Sequence, residues 1–256
     1  EIASNNRRTL GIGVTNLAYY LAKNDAKYSD GSGNDLIHKT FEALQYYSLK
    51  ASNKLAEELG PCPLFSETQY AKGIMPIDSY KKDIDAFCST KLELDWDILR
   101  RNIKSKGLRN STLTALMPCE SSSQISNSTN GIEPPRGFIS VKQSKDGILK
   151  QVVPEYEKLH KKYELLWDIK DNEGYLQLCA IMQKFVDQSI STNTHYDPSQ
   201  FEGSRVPMKL FLMDLLKAYK YGIKTLYYHT TRDGSGDDQN NSKQGDDDCE
   251  DGVCKL

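Results

Sequence analysis

Cys249 and Cys254 stand five positions apart near one end of the 256-residue chain, with Gly252 between them. Bending at the glycine lets two such thiols approach to disulfide distance, and an exposed pair of this kind exchanges with other dithiols. Spacing alone leaves two other readings open: half of a zinc site, for which the neighbourhood offers only carboxylates as further ligands, and two cysteines without chemistry. The 16 residues 233–248 are polar and contain Gly and Ser. As a tether they would span roughly 20 to 25 Å on average and at most ~55 Å, enough to carry a dithiol to a distant buried site.

Two further stretches carry chemistry-bearing groups. In Leu226-Tyr227-Tyr228-His229 the adjacent phenols could pass an electron and a proton, or could simply be two strand aromatics. A regular strand would turn the two rings to opposite faces, so direct stacking requires a local irregularity. Tyr19-Tyr20 and Tyr46-Tyr47 repeat the dipeptide, and residue type alone favours none of the three pairs. In the third stretch, Leu116 to Gln124, a strand end runs into Glu120, Ser121 and Ser122. Free backbone N–H groups and serine hydroxyls there would suit a phosphate, although serines also open helices without any ligand. Cys119 and Glu120 have no histidine nearby in sequence to complete a catalytic reading. Cys62, Cys88 and Cys179 sit in or beside amphipathic stretches and read as structural. His38, His160, His195 and His229 show no metal-ligand spacing.

The elements that would position these groups alternate. Asn34 can cap a helix on which Ile37, Phe41, Leu44, Ala51 and Leu55 follow at helical spacing until Gly60-Pro61. The same reasoning predicts helices over 14–23, 78–88, 95–106, 155–167, 174–188 and 207–221, and short strands over 111–116, 138–141, 148–153, 189–192 and 224–228. Strands separated by helices predict an α/β layout with parallel strands, without deciding between an open sheet and a barrel. Residues 1–231 read as folded and 232–256 as a flexible acidic tail.

Hydrophobic residues make up 38% of the chain and charged residues 27%, which fits a globular body. The net charge of -2 is uneven: the last 25 residues hold eight acidic and three basic side chains, leaving the body about +3. With no basic stripe, nucleic acid is not an expected partner. No apolar run reaches the roughly 18 residues of a membrane helix, and no signal-peptide pattern opens the chain, so a soluble, cytoplasmic protein is expected. A helix-like stretch begins within about a dozen residues of Glu1, which is not an initiator methionine, so the chain is expected to begin inside a larger fold.

Longer motifs carry a resemblance. They are Arg7-Arg-Thr-Leu-Gly-Ile-Gly-Val14, Tyr28-Ser-Asp-Gly31, Leu108-Arg-Asn-Ser-Thr-Leu113, Ala115-Leu-Met-Pro118, Asn130-Gly-Ile-Glu-Pro-Pro-Arg-Gly137, Thr225-Leu-Tyr-Tyr228 and Thr231-Arg-Asp-Gly234, followed by the Cys-x4-Cys tail. Across nearly its whole length the chain resembles the large subunit of class I, aerobic ribonucleoside-diphosphate reductases, the enterobacterial and T4-like phage type in particular.

The resemblance implies the carboxy-terminal portion of a ten-stranded α/β barrel. It implies that Tyr227 and Tyr228 end a radical-transfer route from a small subunit, whose metal-radical cofactor this chain does not hold. It also implies that Cys249 and Cys254 re-reduce an active-site disulfide and are themselves reduced by thioredoxin or glutaredoxin. Glu120, Ser121 and Ser122 match the family's diphosphate loop. The family's thiyl-radical motif, Asn-x-Cys-x-Glu, occurs nowhere in this sequence. A companion amino-terminal chain, or the missing part of a larger subunit, would have to supply it, and this polypeptide is expected to be inactive alone. The alternative is a non-catalytic remnant that binds the small subunit.

Overall fold

The computed structural model describes residues 2–144 and 147–232. Its helices are α1 (Ile2–Arg7), α2 (Leu17–Lys23), α3 (Asn34–Leu59), α4 (Pro76–Ser79), α5 (Trp96–Lys106), α6 (Glu120–Ile125), α7 (Tyr156–Leu159), α8 (Glu173–Gln183) and α9 (Met208–Lys220). The strands are β1 (Ile139–Ser144), β2 (Gly147–Val152), β3 (Thr192–Tyr196) and β4 (Leu226–Thr231).

Helices α3 and α8 build the core. Nearly every residue of α8 is buried, and α3 lays Ile37, Phe41 and Leu49 against the same cluster. The buried face of α3 is rotated from the expected one: Ala51 and Leu55 face solvent, while Glu42, Gln45, Ser52 and Asn53 turn inward. Each of these four side chains has a partner, as burial requires. Glu42 accepts from Trp96 Nε1 (3.0 Å), Gln45 donates to the Tyr70 hydroxyl (3.0 Å), Ser52 donates to Asn110 (2.9 Å) and Asn53 donates to the Gly107 carbonyl (2.8 Å).

Asn34 is the first helical residue rather than the cap, which falls on Gly33; its side chain donates instead to the Phe87 carbonyl at 3.0 Å. Helix α5 follows expectation: Asp95 caps it by accepting from Ile98 N (2.9 Å), and Gly107 ends it at φ +80°. A Cβ at Gly107 would lie 2.7 Å from Pro61 Cβ, so the close approach demands glycine as much as the dihedral does.

Two expected helices are broken. The stretch 78–88 holds only the end of α4 and a 3-10 segment, because Tyr80 is extended and its hydroxyl donates to Asp85 (2.6 Å). The stretch 155–167 holds only α7 and a 3-10 turn, because Glu164 leaves the helical path to accept from the backbone N–H groups of Tyr28 (2.7 Å) and Ser29 (3.1 Å).

The expectation of parallel strands holds for one part of the molecule. Strands β1 and β2 form an antiparallel hairpin, but β3 and β4 are parallel, and parallel bridges join Ile12 to Thr114 and Leu116 to Ile190. Backbone bonds such as Ile12 N to Leu113 O (2.7 Å) and Ser191 N to Leu116 O (2.8 Å) extend those bridges. Four chain segments thus lie side by side in one direction, in the order 10–12, 112–116, 189–196 and 226–231. Among the described residues this arc does not close into a barrel. None of the described helices is long and apolar enough to cross a membrane.

Candidate functional site

In parallel α/β arrangements, ligands gather where the strands end at their carboxyl side. Residues 117–122 leave the second segment of the arc there and open α6. The first-turn N–H groups of Glu120, Ser121 and Ser122 have no acceptor within the helix, and Cys119 at the N-cap provides no side-chain bond. Asn130 fastens this loop from both sides: its Oδ1 accepts from Cys119 N (2.7 Å) and its Nδ2 donates to Glu120 Oε1 (3.0 Å). Asn16, held in the left-handed region at φ 71°, braces the returning chain by accepting from Thr129 N (3.0 Å). From the hairpin, Gln151 Nε2 donates to the carbonyls of Ser123 (3.2 Å) and Ser128 (3.0 Å).

The tyrosines lie on β4 at the far side of the arc. The β3–β4 register runs Thr192 to Leu226 and then Thr194 to His229, so β4 spends one residue more than β3 over this interval. This irregularity brings the two rings together: Tyr227 and Tyr228 lie tilted at 46° with centroids 4.0 Å apart. Both are exposed, at 51% and 58%. Tyr46 and Tyr47 also touch, edge to face at 5.3 Å, but Tyr46 packs against Trp96 away from the loop.

Asn193, opposite the extra residue, accepts from Tyr228 N (2.8 Å) and donates through Nδ2 to Glu133 Oε1. Burial raises the Glu133 carboxyl above its ordinary pKa, opposed by the Asn193 bond and the Arg136 charge. Beyond the tyrosines, His229 Nδ1 lies 2.6 Å from Thr194 Oγ1 and the ring packs tilted against Phe211. His195 is buried, and that burial holds its imidazole below the usual pKa.

Loop and strand share one cavity of about 360 Å3, whose walls include Glu120, Asn130, Glu133, Arg136, Asn193 and Tyr228. The structure therefore brings Glu120 and Tyr228 to one concavity. Ser121 and Ser122 sit on the exposed opening turn of α6 beside it. Asn130, Glu133, Arg136 and Asn193 were not singled out as site residues from sequence; three of them lie in the motif that carried the resemblance. Cys249 and Cys254 fall outside the described residues, as does the stretch 233–248. Arg232 at the described end donates to Asp197 Oδ2 at 3.1 Å. Among the described residues no three His, Cys, Asp or Glu side chains gather as they would around a metal ion.

Known proteins resemble the chain throughout. The family described as ribonucleotide reductase, barrel domain, matches residues 1–229. The chain is 66% identical over 252 residues to ribonucleoside-diphosphate reductase 1 subunit alpha of Escherichia coli (strain K12), covering 98% of this chain and 33% of that protein. It is 66% identical over 250 residues to the subunit alpha of Haemophilus influenzae, and 53% over 253 residues to that of Enterobacteria phage T4, with the same shares covered. The chain spans about a third of the length of the curated relatives it matches.

Proposed function

The chain belongs to the ribonucleotide reductase barrel-domain family, and from that premise we propose that it is the carboxy-terminal part of a class I ribonucleoside-diphosphate reductase large subunit. The observation that carries this reading is the juxtaposition, on the walls of one cavity, of the loop that opens α6 and the strand that bears the touching tyrosines. The four-segment arc would be the carboxy-terminal flank of a ten-stranded barrel completed by the companion portion.

The serine hydroxyls and first-turn amides of residues 120–122 would hold the diphosphate of a ribonucleoside diphosphate, with Asn130 keeping the loop in shape. Tyr227 and Tyr228 would relay one electron and one proton along the route from the small subunit, where the metal-radical cofactor resides. The companion portion would supply the thiyl-radical cysteine and the substrate-reducing pair. Cys249 and Cys254 would then reduce the disulfide formed there, and thioredoxin or glutaredoxin would reduce them in turn. The assembly would work in the cytoplasm.

Reconstitution tests the reading. Mixed with a chain bearing Asn-x-Cys-x-Glu and with the small subunit, the wild-type chain should restore reduction of nucleoside diphosphates. Tyr227→Phe and Tyr228→Phe should each stop it with any reductant, since the O–H is lost while the ring remains. A well-folded complex that stays inactive would make the chain an interaction module instead.

A further inference from the structure

We propose that Asn193 is a positioning residue for the tyrosine pair: braced by Glu133, its side chain fixes the β4 bulge that lays Tyr227 and Tyr228 on one another. The inference rests on the relay reading of those tyrosines and names what sets their geometry. The extra residue of β4 leaves the Tyr228 N–H opposite a side chain, and Asn193 Oδ1 receives it at 2.8 Å. The other end of the same amide donates to Glu133 Oε1. Both ends being engaged, the amide has one orientation: turning it over would set N–H against N–H and oxygen against oxygen. Glu133 is itself held on a turn, its N–H donating to the Asn130 carbonyl at 3.3 Å. The bulge is thus anchored to the motif that shapes the loop at α6.

The alternative to the bulge is a regular strand, and a regular strand sends adjacent side chains to opposite faces. The consequence is chemical. A phenoxyl on one ring regains its O–H by taking one electron and one proton from the other phenol, whose own O–H breaks to leave the phenoxyl there. Rings on opposite faces of a strand cannot make that exchange.

The test uses the assembled reductase. Asn193→Ala should lower kcat roughly ten- to a hundredfold, the scale on which small misplacements act. It should leave KM for the nucleoside diphosphate within about twofold, because the loop of residues 120–122 keeps its own bonds to Asn130. With 3-aminotyrosine, a more easily oxidised analogue, in place of Tyr228, electron paramagnetic resonance should record less radical when Asn193→Ala is present. Asn193→Asp keeps an acceptor for the Tyr228 N–H but sets a second carboxylate against Glu133. Adding Glu133→Gln supplies the missing donor and should restore both turnover and radical yield over Asn193→Asp alone.

Wild-type kcat and radical yield in Asn193→Ala, with Tyr228→Phe inactive, would overturn the positioning role and leave the relay standing. Normal turnover of Tyr228→Phe would overturn the relay itself. Should Asn193→Ala fail to fold, the charge swap decides: no recovery in the double variant overturns the proposal.

Discussion

Asn130 and Glu133 are three positions apart, yet one holds the loop before α6 and the other holds the amide beneath Tyr228. Their motif was recognisable in the sequence, but their work was not. The Cys119 and Asn193 groups they bond lie 11 and 60 residues away, and no periodicity reports such pairs. The touching tyrosines were half legible in the same way: the dipeptide was plain, whereas the bulge that brings its rings together arises from a register between strands. The four cysteines among the described residues differ in ways sequence only outlined. Burial pushes the Cys179 thiol up to about 12 and that of Cys88 to about 11, while Cys119 is partly exposed beside the Val14 carbonyl. Thiolate supply and access both govern alkylation. Iodoacetamide at pH 8, followed by peptide mass spectrometry, should therefore label Cys119 first of these four and Cys179 only on unfolding. Labelling of Cys179 as fast as Cys119 would mean the helix α8 packing is not as described.

Elements with strong local signals were read nearly to the residue. Helix α5 has its aspartate cap and terminal glycine, and α9 spans Met208–Lys220 within the predicted 207–221. Elements set by distant partners were not, as with Tyr80 and Glu164, whose tertiary bonds override helical propensity. The join between α4 and α5 gives a measurable case. Asp78 accepts two bonds from the Arg100 guanidinium, at 2.5 and 3.0 Å, and one from Met75 N at 2.7 Å. The Arg100 bonds are the main cause holding its carboxyl below the ordinary value. A depressed folded pKa contributes stability that is complete above the unfolded value, about 3.9, and lost as pH falls through the folded one. Asp78→Asn should thus cost ~1 kcal/mol near neutral pH, a figure already discounted for partial exposure. The gap between the two melting curves should narrow below about pH 4; a gap independent of pH would assign the loss to packing instead.

At the scale of the molecule, α9 presents Met208, Leu212, Leu216 and Tyr219 to solvent. Only Asp214 and Ala218 of that helix are buried. The proposed relay likewise extends past the described chain. If Cys249 and Cys254 carry reducing equivalents, Cys249→Ser or Cys254→Ser should abolish turnover driven by thioredoxin in the reconstituted enzyme. Much of the activity with a small dithiol should survive, and equal losses with both reductants would remove the shuttle. The arc's pairings of Ile12 with Thr114, Leu116 with Ile190 and Thr192 with Leu226 close loops of 102, 74 and 34 residues. Closing long loops costs entropy before any contact rewards it, so such pairings form slowly compared with helices nucleated by neighbours. During synthesis the edge at residues 10–12 must wait until residue 114 has emerged, and the last segment waits for Leu226. The cavity lined by Glu120 and Tyr228 is consequently among the last features to form, and until then unpaired strand edges stay open to the wrong partner.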